Sequence, residues 1–300
     1  MSSIIKEMLS KQEKESGNAL DDVRKEYIKK LSEYTGRNTI TYYSAYLKDD
    51  GNGIKGAEIN SNDKNLFMSA VYGLDYSKGL DLILHTPGGA VTAAESIMHY
   101  LNNIFEGDIR VIIPFAAFSA GSIIACGGKS IVMGKQSNIG PFDPWLGSIS
   151  CHNLLEEFEY ASKEMENKPH RREVWLPIIN KIQPTLLTRC KHSIAMASSI
   201  VETWLKKNML KEKSEEEQNK IVSEVNSKLN NPEYTREHSR HIHSDQAKEM
   251  GLIIEDLEGD QEFQDLVLSI HHSNMILFGQ SSIAKVVENN MGETVVANVL

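Results

Sequence analysis

Residues 79–89 read GLDLILHTPGG, and residues 109–122 read IRVIIPFAAFSAGS. Each stretch is a short apolar run that ends in a turn of small residues, and a segment with helical periodicity follows each turn. A third apolar run, SIVMG, occupies residues 130–134. Apolar runs bounded by turn residues in this way are typical of buried strands. Strand and helix therefore alternate, which predicts an α/β fold around a parallel sheet.

The two turns, His85–Gly89 and Phe118–Ser122, bring small residues to the carboxyl ends of neighbouring strands, where open α/β sheets bind ligands. A serine on such a turn is exposed at a helix N-terminus, whose amides and dipole favour negative charge. Ser119 is therefore a candidate nucleophile. The turn at Gly88 and Gly89 predicts backbone N–H donors for an oxyanion. In the alternative, structural interpretation, the glycines only make a tight turn and Ser119 only caps a helix.

The remainder of the chain is organised around this core. The pattern predicts an N-terminal helical segment at residues 1–36, the first part of the core at 37–150, a helical arm or insertion at 151–232, and core completion with a C-terminal helical tail at 233–300. The helical arm is predicted because its residues lack strand-like runs. Helices there and at the N-terminus are natural interface elements for an oligomer.

The composition argues against several classes of protein. Asp and Glu number 41 against 32 Lys and Arg, and the net charge of −9 disfavours nucleic-acid binding, which needs clustered basic residues. The N-terminus has charges where a signal peptide needs an apolar stretch, and no segment reaches transmembrane length. The 3 cysteines form no CxxC pair, which indicates reduced thiols. We therefore expect a cytoplasmic protein with no membrane span.

The sequence predicts neither a metal nor another cofactor. It contains no HExxH motif, no cysteine pair and no calcium-loop spacing. The segment Gly128-Lys129-Ser130 resembles the end of a phosphate-binding loop, but Ile123 stands where that loop requires its first glycine.

Three stretches together resemble the Clp/crotonase-fold superfamily of serine peptidases. They are LDLILHTPGGAVTAAESIMHYL at residues 80–101, the segment from IRVIIPF to IGPFDP at residues 109–144, and AKEMGLIIEDLE at residues 247–258. Within the superfamily, the resemblance is to the soluble signal-peptide-peptidase-like and serine-dehydrogenase-proteinase-like branch. It implies a core of repeated ββα units with a mostly helical insertion and C-terminal helices. It also implies a serine-type peptidase that acts on peptides or proteins, forms a homo-oligomer, and works with or without a separate unfoldase or partner protein.

The same resemblance implies roles for individual residues. Ser119 would be the nucleophile, and the oxyanion hole would be formed by Gly88 and Gly89 of the first turn and Ala120 of the second, with the backbone amides of Gly89 and Ala120 as the donors. Ser122, one helical turn further on, is expected to have a packing role.

The general base remains open at the level of sequence. Clp proteases carry a histidine where this chain has Pro-Phe-Asp-Pro, so their triad does not transfer directly. Lys163 matches the lysine that signal-peptide-peptidase-like relatives use, although such a lysine more commonly pairs with a helix neighbour. His238 and His241 lie where Clp proteases bring in their acidic residue, and histidine suits proton transfer near neutral pH. Asp143 is a candidate for orienting the base, or else a turn residue.

Two rival functions stay open. A crotonase-like acyl-CoA enzyme would use the same two oxyanion turns but would not need Ser119. A catalytically silent scaffold that binds peptides would keep the fold without a complete triad, and the missing Clp-type histidine is compatible with it.

Overall fold

A seven-stranded mixed sheet forms the centre of the computed structural model, which describes residues 19–48 and 54–299. From one edge to the other, its strands are β11 (Thr294–Asn298), β10 (Ile283–Asn289), β1 (Asn38–Ser44), β2 (Leu80–His85), β3 (Ile109–Ile113), β5 (Ser130–Met133) and β9 (Ile254–Asp256). The strands from β1 to β9 pair in parallel, while β10 is antiparallel to both β1 and β11. The α/β fold is thus confirmed, with a mixed sheet instead of a wholly parallel one.

Helices cover both faces of the sheet. One face packs against α1 (Ala19–Thr35) and α11 (Gln261–Gln280), and the other against α2 (Asp63–Val71), α3 (Val91–Ile104) and α4 (Ala120–Cys126). Within β2, Ile83 belongs to the hydrophobic core on the face covered by α1 and α11. Leu82 and Leu84 belong to the core on the face covered by α2, α3 and α4. Successive strand side chains point to opposite faces, so a strand buried on both faces reads as a continuous apolar run.

The segment after the sheet core is helical, with bounds α5 (Cys151–Asn167), α6 (Arg172–Ile179), α7 (Leu186–Trp204), α8 (Glu215–Leu229), α9 (Pro232–Thr235) and α10 (Ser244–Glu249). The end of α7 joins the main core through Ala197 and Val201. Its beginning forms a separate small core with α5, built on Cys151, Leu154 and Cys190. None of the helices in the described residues has the length and apolar character needed to cross a membrane.

The end of the chain corrects one expectation, because a hairpin of strands follows α11 where a helical tail was predicted. The apolar run of β10 is interrupted by Lys285 and Glu288, which hides it from a sequence pattern. Both charged side chains are nevertheless buried, and their ion partners are Asp63 and Arg24 respectively. Parallel pairing with β2 leaves the other edge of β1 open, and β10 fills it.

Four short strands carry the chain from the sheet to the candidate site: β4 (Ala116–Ala117), β6 (Asn138–Ile139), β7 (Trp145–Leu146) and β8 (Ile149–Ser150). Strand β4 pairs with β6, and Ala117 also bridges to Thr86, just beyond β2. On the other side, Ile139 bridges to Ile242. These pairings bring the two small-residue turns, the Pro-Phe-Asp-Pro loop and the segment that contains His238 to one region.

Candidate active site

The diglycine turn is held between an extended segment and the serine turn. The N–H of Ile59 donates to the carbonyl oxygen of Gly88 at 2.7 Å. Gly88 and Gly89 have φ angles of 95° and 149°, in the region that favours glycine. A Cβ atom at Gly88 would lie 2.5 Å from the carbonyl oxygen of Phe118 and 2.6 Å from Cβ of Ser119. Glycine is therefore required because the two turns approach so closely.

Ser119 has a backbone conformation that is rare for a residue with a side chain. Its φ is 51° and its ψ is −119°, immediately before the first residue of α4. A conformation of this kind costs on the order of 1–3 kcal/mol and recurs at functional sites. The hydroxyl group makes no capping hydrogen bond to the helix. The geometry thus differs from the structural interpretation, in which Ser119 serves as a helix cap.

Two backbone amides near Ser119 have no hydrogen-bond acceptor among the described residues, namely those of Gly89 and Ala120. The neighbours of Gly89 pair with Ile59, so the N–H of Gly89 itself faces the other way. Ala120 is the first residue of α4, and the first amides of a helix lack intrahelical acceptors. The Gly88 amide differs from them because it already donates to Oγ1 of Thr86 at 3.1 Å.

A carboxylate and an imidazole pair close to these turns. Nδ1 of His238 lies 2.8 Å from Oδ1 of Asp143, and the indole N–H of Trp145 donates to Oδ2 at 3.0 Å. Burial opposes the charged form of Asp143, but the hydrogen bonds from His238 and Trp145 and the His238 charge outweigh it and lower the pKa of Asp143. An ionised carboxylate accepts only, so Nδ1 of His238 is the donor in this contact, and Nε2 is the ring nitrogen left to exchange a proton with another group.

Ser119, Asp143 and His238 line one cavity of about 480 Å³. The remaining wall is provided by Glu58, by the diglycine turn with the start of α3 at Val91, and by the loop that contains Trp145. Helix α7 contributes Ser193 and Met196. The serine hydroxyl, the paired imidazole and the two turns with free amides therefore meet around one space, which is large enough for a few peptide side chains.

Lys163 and His241 lie outside this cavity. Lys163 is 69% exposed and pairs with Glu159 at 2.8 Å, one turn earlier in α5. It lines a different cavity, together with His152 and Asn231. His241 is exposed and packs its ring 4.9 Å from that of Phe118. The structure thus brings His238 and Asp143 to Ser119, but not Lys163.

Ser122, which was expected to have a packing role, and the buried His271 both have structural surroundings. Oγ of Ser122 is buried, lies 2.9 and 2.8 Å from the carbonyl oxygens of Ala117 and Gly140, and accepts the Gly140 N–H at 2.9 Å. His271 packs against the rings of His85 and Phe115 on the opposite face of the sheet from α4. Burial lowers the pKa of His271 to about 4, and burial also lowers the pKa of His85 well below its usual value.

Sequence reasoning missed Trp145 and Glu58 as members of the site. Trp145 directly follows the Pro-Phe-Asp-Pro loop, so its place beside Asp143 was a detectable signal. Glu58 belongs to no sequence motif, and in the structure it lies at a bend between buried Ala57 and buried Ile59. Among the residues described, no cluster of His, Cys, Asp and Glu side chains has the arrangement of a metal site.

Comparisons with known proteins identify relatives and a family of this chain. The chain is 27% identical over 234 residues to the uncharacterized protein MJ0137 of Methanocaldococcus jannaschii, covering 76% of this chain and 73% of that protein. It is 36% identical over 89 residues to the uncharacterized protein MJ1495 of the same organism, covering 30% of each. A model of one protein family matches residues 12–268, which is most of the chain. The protein belongs to the family of ClpP-like SDH-type serine proteinases.

Proposed function

We propose that this protein is a serine-type peptidase that hydrolyses peptide bonds through an acyl-enzyme on Ser119. The observation that carries the proposal is the Asp143–His238 pair on the wall of the cavity that Ser119 also lines. Family membership supports a hydrolase of this class. The strained backbone and uncapped hydroxyl of Ser119 support its role as the nucleophile.

In the proposed reaction, Nε2 of His238 accepts the proton from Oγ of Ser119 as the oxygen attacks the peptide carbonyl carbon. The amides of Gly89 and Ala120 donate to the resulting oxyanion. His238 then gives its proton to the leaving amine, and water hydrolyses the acyl-enzyme with His238 again as the base. Asp143 stays ionised throughout and stabilises the imidazolium ion.

This assignment prefers His238 to Lys163 as the base. Lys163 is 69% exposed, pairs with Glu159 on its own helix, and does not line the cavity of Ser119. His238 is oriented by a buried carboxylate, as the base of a triad requires. In the Clp pattern the histidine comes before the acidic residue along the chain, whereas here the acidic residue, Asp143, would come before the histidine, His238.

The broader proposal is a cytoplasmic homo-oligomer of repeated ββα units that takes peptides or unfolded chains, with or without an unfoldase. Exposed apolar side chains on α6 support a subunit contact there, because Val174, Leu176 and Ile178 are 46%, 50% and 42% exposed. Light scattering of the purified chain measures this directly, and a monomer at all working concentrations would contradict it.

The test of the nucleophile is covalent labelling. The purified protein is treated with a fluorophosphonate probe, and the adduct is located by mass spectrometry. We expect an adduct on Ser119, no adduct in Ser119→Ala, and unchanged labelling in Ser199→Ala, which alters an exposed serine elsewhere on α7. A folded protein that takes no label would contradict the proposal and favour the scaffold or the acyl-CoA enzyme. Cleavage of casein by wild-type protein that also takes the label would establish the peptidase activity, provided that the Ser119→Ala variant does not cleave casein.

A further inference from the structure

We propose that Glu58 forms a subsite for a cationic group of the peptide substrate, the ammonium or guanidinium of a Lys or Arg side chain. This inference rests on the proposed peptidase function and adds a substrate class to it. Glu58 lines the cavity of Ser119 and is exposed, whereas its neighbours Ala57 and Ile59 are 2% and 1% exposed. Glu58 lies at a bend immediately before the Ile59–Gly89 bridge, and its exposure places its side chain away from the core.

The backbone that carries Glu58 is firmly held. Nζ of the buried Lys285 donates to the carbonyl oxygen of Glu58 at 3.0 Å and also pairs with Asp63. Oδ2 of Asp63 in turn accepts the backbone N–H of Asn60 at 2.9 Å and the hydroxyl of Tyr42 at 2.8 Å. A charged side chain on so rigid a segment loses little backbone freedom when it binds a ligand.

The same segment adjoins the oxyanion turn. Ile59 donates its N–H to the carbonyl of Gly88 and accepts the N–H of Ala90 at 2.9 Å, so it flanks Gly89 on the side away from the free amide. Glu58 is the residue immediately before this contact. The Glu58 side chain nevertheless lines the same cavity as Gly89, so a peptide whose carbonyl reaches the Gly89 amide shares that cavity with the Glu58 carboxylate.

The charge of Glu58 is unmatched within the cavity. The lining includes no Lys or Arg, and its other carboxylate, Asp143, is already paired with His238. Among the residues the structure describes, none forms an ion pair or a hydrogen bond with the Glu58 side chain. The hydrogen bonds that Glu58 accepts from Asn60 and Lys285 both go to its backbone carbonyl oxygen. A carboxylate in a concave, partly apolar wall creates a negative potential that a substrate cation can neutralise.

Two sources can supply that cation: a Lys or Arg side chain, or the free α-amino group of a peptide. We favour the side chain, because a peptide that crosses the cavity leaves its terminus outside unless cleavage occurs at the end of the chain. Peptides with acetylated and free N-termini separate the two sources.

The experiment compares fluorogenic peptides that carry Arg, norleucine or Glu at each position around one cleavage site. We expect N-acetylated Arg peptides to be cleaved with a kcat/KM about 10-fold above norleucine peptides, the size of one charge-assisted contact. Glu58→Gln should remove this preference, and Glu58→Lys should shift it toward Glu peptides. Glu95→Gln, an exposed carboxylate lining another cavity, is the matched control and should keep the wild-type ratio.

Labelling by a neutral fluorophosphonate separates the two proposals. Equal labelling of wild type and Glu58→Gln, with a lost Arg preference, supports the subsite. An Arg preference that survives in Glu58→Gln, or that is missing in a wild-type protein that labels and cleaves, overturns it and leaves the peptidase intact. A preference limited to free N-termini assigns Glu58 to the α-amino group and overturns the side-chain assignment. An unlabelled, inactive wild type overturns both.

Discussion

Nδ1 of His238 lies 2.8 Å from the carboxylate of Asp143, although 95 positions of sequence separate the two residues. Asp143 is only 3% exposed, and His238 is 30% exposed. The pair therefore has a buried, orienting member and an accessible, reactive member. This division suits an imidazole that must reach Ser119 and a carboxylate that must remain in place.

Replacing the pair should separate its two roles. We expect His238→Ala to lower kcat by at least about 10²-fold, because proton transfer loses its base. Asp143→Asn should lower kcat by up to about 10⁴-fold, since an amide can accept at one atom but no longer stabilises the imidazolium ion. Steady-state hydrolysis of a casein-derived peptide measures both effects. Lys163→Met serves as the control and should keep the wild-type rate. A loss of kcat in Lys163→Met that equals the loss in His238→Ala would contradict His238 as the sole base and favour Lys163, on α5.

The stability of the protein should depend on Asp143 in acid. The pKa of Asp143 is lowered in the folded state, so its contribution is complete above the unfolded value of about 4 and disappears as pH falls through the folded value. Urea unfolding of wild type and Asp143→Asn should therefore differ more at pH 6 than at pH 3. An equal difference at both pH values would mean that the pairing with His238 does not form in solution.

The sequence indicated which residues could form the candidate site, but it did not indicate how those residues contact one another. Ser119 and the glycine turn were visible because small residues after apolar runs form strand-to-helix turns. Asp143 and His238 were visible as candidates, but their pairing depends on how Ile139 bridges to Ile242, a contact between distant segments. Periodicity carries no information about such a bridge, so the base stayed open.

The errors of sequence reasoning have related causes. The final hairpin was missed because two buried ion pairs replace apolar residues in β10, and a local pattern cannot distinguish a buried charge from an exposed one. Glu58 was missed because its role depends on the neighbouring diglycine turn and not on its own sequence context. The turn at residues 49–53, which the sequence also predicts, lies outside the described residues.

The close approach of the two turns gives a prediction for Gly88→Ala. The new Cβ would collide with the carbonyl of Phe118 and with Ser119, so we expect labelling by a fluorophosphonate to slow by about 10²-fold, the usual cost of an approximately 1 Å displacement at a catalytic group. Gly292→Ala is a matched control, because Gly292 also has a positive φ, 88°, but has open space around it. Both variants should lose some stability from backbone strain, and only Gly88→Ala should lose reactivity. Equal labelling rates would show that the turns do not need this contact.

The buried histidines on the opposite face of the sheet predict a second pH effect. The unfolded chain binds a proton at His271 near pH 6.5, whereas the folded chain does so only near pH 4. The stability that neutral His271 contributes is present above pH 6.5 and is lost as pH falls toward 4, by about 2 kcal/mol at pH 5. In His271→Phe, which keeps the stacking on Phe115, the loss of unfolding free energy between pH 7.5 and pH 5 should shrink by about that amount. His99→Gln, at an exposed site, should leave the profile unchanged, and an unaltered profile in His271→Phe would contradict the assignment.

Lys285 and Asp63 form a buried ion pair behind the candidate subsite, with side chains 2% and 1% exposed. Lys285→Met would leave Asp63 charged and unpaired, and we expect a loss of about 3–5 kcal/mol in the free energy of unfolding. Adding Asp63→Asn should restore part of this loss, because the amide is neutral and still accepts from Tyr42 and the Asn60 backbone. Lys248→Met breaks an exposed pair with Asp256 and should cost less than about 1 kcal/mol. Urea unfolding of wild type, Lys285→Met, Asp63→Asn and the double variant measures the coupling between the two residues. The double variant should still lose fluorophosphonate reactivity, because the carbonyl of Glu58 has lost its buried donor Lys285 and keeps only the longer contact from Nδ2 of Asn60 at 3.3 Å, so the segment beside the diglycine turn is held less firmly. Wild-type reactivity in that variant would mean that the diglycine turn is positioned without Lys285.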